Sequence, residues 1–310
     1  MIGLLRSEIL RARSRRVVTM LLVATFIAVA LGILIAILTT NAPTQEETDR
    51  GQRRYERELA RCLAGNYGRP DEAGFDSLEA MCAEFVQPQY YGPSTPRFAE
   101  IEEILVGTGF IVLLLGAVVG ATLGGADWSA GSMATLLVWE PRRVRVLLAR
   151  IVAVALTALV LTIVAQAVFV AGLTVYIAIH GTFDGTPAGY LGDLTATVLR
   201  ISAVAGLFAL MGLSLATIGR STVAGLGVFL GYLIIVEGFL SNLLFWVQKV
   251  TFGRAAAAVV TDETIELVDG STRPPSIFEL TPGRGWVTLG AWAVVLLLLA
   301  GASFRVRDVT

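Results

Sequence analysis

Few side chains in this 310-residue sequence could carry chemistry of their own. His180 is its only histidine and Lys249 its only lysine. A lone histidine excludes an HExxH zinc site and argues against a Ser-His-Asp triad. No glycine-rich loop ends in Lys-Ser or Lys-Thr, so the chain builds no P-loop of its own. It also lacks a pair of intramembrane aspartates for proteolysis. Glu237 is the one ionisable group deep within an apolar run. A carboxylate at that depth costs a few kcal/mol, so it faces protein or a wet cavity. Two readings stay open for it: a group on a substrate or proton pathway, or a cap on a helix break near Gly238. Gln166 is a weaker candidate for the same cavity. Cys62 and Cys82, the only cysteines, have nineteen residues between them. They either close a disulfide, contributing about 3 kcal/mol by loop-closure entropy, or stay as two thiols. A metal pair there would lack partners.

The elements that hold these residues are set by composition. Hydrophobic residues make up 55% of the chain and charged residues 16%, with a mean hydropathy of +0.71. A water-soluble domain of this size needs more polar surface. Six runs approach or exceed the roughly 20 residues that cross a bilayer core. They are Val17–Thr39, Ile104–Ala126, Ile151–Ile179, Ile201–Ile218, Ser221–Val247 and Trp286–Phe304. All ten prolines lie outside them, where water replaces a missing backbone donor. Trp128, Trp139, Trp246 and Trp286 lie at or near span ends, where amphipathic rings favour the interface. The first run exceeds the roughly 7–15 residues of a signal-peptide core and reads as an anchor. The expected fold is all-α and polytopic, with six transmembrane helices.

Spans alternate sides, so one assignment fixes every loop. With the N-terminus in the cytosol, the cytosolic segments carry twelve arginines against four acids, Glu8, Asp127, Glu140 and Asp308. The 127–150 loop alone holds four of those arginines, while residues 180–199 hold no basic residue except His180. Positive residues in short loops mark the inner side, so both termini are expected inside. The ratio of 23 arginines to one lysine, with abundant Ala, Val and Gly, points to a GC-rich bacterial genome and hence a bacterial plasma membrane.

Domain boundaries follow. Residues 1–16 form a cytosolic N-terminal helix, 17–39 span 1 and 40–103 an external, mostly helical loop domain. Residues 104–126 are span 2, 127–150 a cytosolic segment, 151–179 span 3 and 180–200 a short external loop. Spans 4 and 5 cover 201–218 and 221–247. Residues 248–285 are external or dip partly into the membrane, 286–304 is span 6 and 305–310 a cytosolic tail. Within span 2, Gly116, Gly120 and Gly124 recur every four residues and leave one helix face open to close packing. Gly227 and Gly231 repeat the theme in span 5. Such ridges serve packing within the chain more often than contacts between copies. Six spans still leave little room for a large solute path, which favours two copies around a shared cavity.

The stretch DWSAGSMATLLVWEPRRVRVLLARI, residues 127–151, follows the glycine-faced span. Gly131 and Pro141 bracket a short apolar helix with Met133, Leu136 and Leu137 on one side, an exposed knob suited to a partner's groove. Positive-inside anchoring accounts for the arginines that follow it. This stretch resembles the segment after the second span in type-2 ATP-binding-cassette exporter permeases. The matching positions are Asp127, Trp128, Gly131, Ser132, Leu136, Leu137, Pro141, Arg145 and Arg150, with Asp127 and Arg150 standing where the family tends to carry Glu and Lys. LLRSEILRARSRR near the N-terminus resembles that family's elbow helix, and FRVRDV its usual ending.

The resemblance implies a permease subunit without its own ATPase site, coupled through this segment, Arg142 included, to a separate ATPase that binds ATP and magnesium. It also implies a homodimer in contact with lipid, with no nucleic-acid partner. The alternatives are a secondary transporter or channel using Glu237, and a non-transporting scaffold whose external domain binds a ligand.

Overall fold

The computed structural model describes residues 3, 7–11, 16–39, 44–68, 70, 75, 77–92, 95–131, 138, 142–269 and 276–306. Six helices are long and apolar enough to cross a membrane, and the chain is the nearly all-α, multi-pass membrane protein expected from its sequence. These six are α1 (Arg16–Thr39), α4 (Ile101–Ser129), α5 (Arg143–His180), α6 (Tyr190–Gly219), α7 (Thr222–Tyr232, continued to Leu243) and α10 (Pro282–Val306). Helix satisfies every backbone donor and acceptor internally, as an apolar solvent demands. The remaining helices are α2 (Gln45–Leu63), α3 (Leu78–Phe85), α8 (Phe245–Gln248) and α9 (Phe252–Thr261).

Contacts divide the chain into two compact units. The first comprises Met1–Val29, Ile101–Ala171 and Ala188–Thr310. Its centre is α6, with sixteen buried residues from Tyr190 to Thr217. α4 lies along α6 in the same direction. A Cβ at Gly116, Gly120 or Gly124 would collide with Ala205, Ala209 or Leu213, and one at Gly212 with Ala117. The α4 glycine ridge therefore serves packing inside the chain. Among the described residues nothing beyond their own helix and chain neighbours comes within 4 Å of a Cβ built at Gly227 or Gly231 in α7. Val119, Leu123, Val154, Ala158, Leu161, Ala209 and Leu213 close the core between α4, α5 and α6, with Leu21 and Leu22 of α1 against it.

Several helices run past the ends read from hydropathy. α6 begins at Tyr190 rather than near Ile201 because its polar residues are accommodated: Arg200 pairs with Asp262 at 2.6 Å and donates to Thr197 at 3.0 Å. α10 begins at Pro282, since proline at a first helical position forfeits no hydrogen bond. α7 does not continue to Val247. Its α-helix gives way to π-helical turns over Leu233–Leu240, and at Leu244 the chain turns extended. α8 follows, then α9, then an antiparallel hairpin of β1 (Ile265–Asp269) and β2 (Ser276–Leu280), with Ile265 opposite Leu280. The hairpin has no forewarning in the hydropathy pattern.

The second unit comprises Ala30–Glu100 and Gly172–Pro187. Thr44 and Glu47 cap α2 reciprocally: the Thr44 N–H donates to the Glu47 carboxylate at 2.9 Å, and the Glu47 N–H to the Thr44 hydroxyl at 3.3 Å. The hydrogen bond from the Thr44 backbone, then that from its hydroxyl, holds the Glu47 carboxyl below the usual carboxylate range. Cys62 and Cys82 form a disulfide between α2 and α3 with Cα atoms 5.8 Å apart. Met81 and Val86 bury around it, with Tyr55, Leu59 and Phe75 at the edge.

Candidate functional site

The first cluster lies in the larger unit, where the N-terminal segment, the end of α4 and the start of α5 meet. Asp127 sits in the last turn of α4, beside the negative end of its dipole, which disfavours its charge, and Arg150 sits in the second turn of α5. Each is also buried, Asp127 at 5% exposure and Arg150 at 3%. They persist because they pair directly, Arg150 Nη2 with Asp127 Oδ2. Glu8, 6% exposed, adds a second carboxylate 3.6 Å from Arg150 Nε. Arg11 closes the set, 2.9 Å from Glu8 and 3.9 Å from Asp127. Among the described residues two carboxylates thus face two guanidinium groups, which offsets the desolvation that either sign alone would incur.

Trp128 extends the cluster sideways. Its ring meets Phe304 of α10 edge-on at 5.9 Å, and the Arg220 guanidinium lies 5.0 Å from its centroid. Arg220 itself adopts a left-handed φ of 52° to end α6. Segments from all over the larger unit therefore converge beside the connection that leaves α4. Gly131 stops α4 with a φ of 67°, and Arg142 and Arg145 beyond it are exposed. Val138 is 82% exposed. Ser132, Leu136, Leu137 and Pro141 lie outside the described residues, as do Met133 and Trp139.

The residues grouped by the motif accordingly separate into two kinds. Asp127, Trp128 and Arg150 face into the protein, whereas Arg142 and Arg145 face out. Glu8, Arg11, Arg220 and Phe304 were not singled out from the sequence. The sequence clue for Glu8 is its place as a lone acid among the arginines of residues 6–16.

The second cluster surrounds Glu237 in the π-helical turns of α7. Its carboxylate accepts the Gly253 N–H at 2.6 Å, so it caps the first turn of α9. A Cβ at Gly253 would overlap that carboxylate. The Thr251 side chain makes no capping hydrogen bond there, and Glu237 supplies the acceptor from a neighbouring element. Tyr232 stacks on Phe252 at 4.2 Å, Phe208 and Phe229 pack on the same ring, and Trp292 donates to the Val250 carbonyl at 2.8 Å.

Gln166 belongs to a different neighbourhood. Its amide donates to Ser202 Oγ at 2.7 Å and to the Val198 carbonyl at 3.3 Å, binding α5 to α6. Nearer that end of α6, Thr197 donates to Glu102 at 2.6 Å. Glu102 also donates its N–H to the Tyr190 hydroxyl at 3.0 Å.

Among the described residues no group of three or more His, Cys, Asp or Glu side chains is placed to hold a metal ion. Compared with known protein-family models and with curated proteins, the chain matches none.

Proposed function

We propose that this chain is the transmembrane permease subunit of an ATP-driven exporter, working as a pair of copies with a separate ATPase subunit that binds ATP and magnesium. The observation that carries the reading is the buried cluster of Glu8, Arg11, Asp127 and Arg150. It ties the N-terminal segment to both helices flanking the 130–142 connection, so a push on that connection passes to α4, α5 and the N-terminal segment together. Such ties suit a part that receives force from outside the chain. In this reading the termini and the connection face the cytosol of a bacterial cell, Arg142 and Arg145 meet the ATPase, and the chain itself hydrolyses nothing.

A secondary transporter built on Glu237 is the less supported reading, because that carboxylate is already engaged as the cap of α9. The test is affinity purification of the full chain from native membranes, followed by transport in vesicles. A P-loop ATPase that copurifies, with transport abolished by removing ATP, is the expected result. Transport by the purified chain alone, driven by a proton gradient, would overturn it.

A further inference from the structure

At the end of the larger unit away from the Trp128–Phe304 contact, two cations share one aromatic ring. Lys249, which follows α8, places its Nζ 4.9 Å from the Phe278 centroid and 4.6 Å from that of Phe245. Arg284, in the first turn of α10, lies 5.2 Å from the same Phe278 ring. Arg284 donates to the Glu279 carbonyl at 2.7 Å, and among the described residues neither cation forms an ion pair. Among the described residues, both charges are thus held in place without a paired carboxylate.

Lys249 follows the helical end of α7 at Leu243 by six residues, and Arg284 opens α10, so both stand near ends of helices long and apolar enough to cross a membrane. Trp246 and Trp286, exposed at 64% and 37%, flank them as tryptophans do at headgroup level. Below Arg284 the same face of α10 continues as Val287, Ala291, Val295 and Leu298, an exposed apolar stripe at helical spacing. A cationic head site standing directly above an apolar track matches the shape of a phospholipid.

We infer that Lys249 and Arg284, braced on Phe278, bind the headgroup of an anionic phospholipid whose acyl chains run down the exposed face of α10. Phosphate oxygens would accept from both the ammonium and the guanidinium, and an anionic lipid such as phosphatidylglycerol lacks the choline cation that would repel this pair. The site needs no ATPase and stands apart from the proposed export function.

The probe is a mixture of phosphatidylglycerol and phosphatidylcholine presented to the full chain in detergent, with retained lipid counted by native mass spectrometry. The wild type should enrich phosphatidylglycerol. Lys249→Gln and Arg284→Gln should each lower that enrichment about fivefold, the weight of one basic residue near an anionic surface. The charge-keeping pair Lys249→Arg with Arg284→Lys should keep it, which separates loss of charge from loss of fold. Equal retention of both lipids by the wild type, or undiminished enrichment in the double Gln variant, would overturn the proposal. Displacement of the lipid by inorganic phosphate alone would mark a free-anion site and overturn it too.

Discussion

At the scale of single residues, the buried charges are the most exposed to test. Asp127→Asn leaves Arg150 near Glu8 but strips its direct partner, and breaking a buried pair on one side costs on the order of 3–5 kcal/mol. The expected outcome is a large fall in the melting temperature of the detergent-solubilised protein. Replacing both Asp127 and Arg150 by apolar residues of similar size should cost much less than the sum of the single changes, as a double-mutant cycle would read. Additive losses would mean the two side chains do not act as a pair. Glu237 allows a sharper contrast. Glu237→Gln keeps an acceptor for Gly253 and should leave transport near wild type at every pH. Glu237→Leu removes the cap and should destabilise α9 by about 1 kcal/mol, the usual weight of an N-terminal cap, read as faster hydrogen exchange over 252–256. Strongly pH-shifted transport in Glu237→Gln would instead put the carboxylate on the pathway.

At the scale of elements, the glycine ridge of α4 predicts its own substitution pattern. Gly120→Ala forces a methyl onto the Ala209 backbone, and overpacking of this kind costs about 1–3 kcal/mol. Among the described residues a methyl at Gly227 meets nothing within 4 Å, so Gly227→Ala should raise the melting temperature slightly through alanine's better helix propensity, and a fall would mean that a second copy packs there. The cap on α2 carries a pH dependence. The Glu47 carboxyl is held below its ordinary range, so its contribution is complete above the unfolded carboxylate range and is lost as pH falls through the lowered folded value. Protection of the 47–48 amides, relative to their intrinsic exchange rate at each pH, should fall only in acid.

The glycine spacing in α4 was legible in sequence because period and composition both report a close face. The end of α7 was not. Apolar content persists through Leu244 to Val247, so hydropathy alone cannot register a chain that leaves the helix there and folds back. The Glu8–Arg150 tie was equally hidden, since ion pairs across 142 residues of chain leave no local pattern. The β-hairpin escaped for another reason: its two five-residue strands are short beside the spans that dominate any hydropathy average.

At the scale of the whole molecule, six apolar helices establish a multi-pass membrane protein, and the disulfide places Cys62 and Cys82 as partners. Reducing that bond should destabilise the smaller unit by about 3 kcal/mol while leaving the larger one intact, measurable as earlier proteolysis confined to 45–92. The broader reading, a gate moved by an ATPase it does not contain, turns on what touches the connection between α4 and α5. Val138 lies in that connection and is 82% exposed. A photo-crosslinking amino acid placed there in native membranes tests the reading most directly. The expected result is a covalent adduct with a P-loop ATPase subunit. Labelling of a Val138→Cys variant by thiol reagents confined to the cell exterior, with no ATPase adduct at that position, would contradict it.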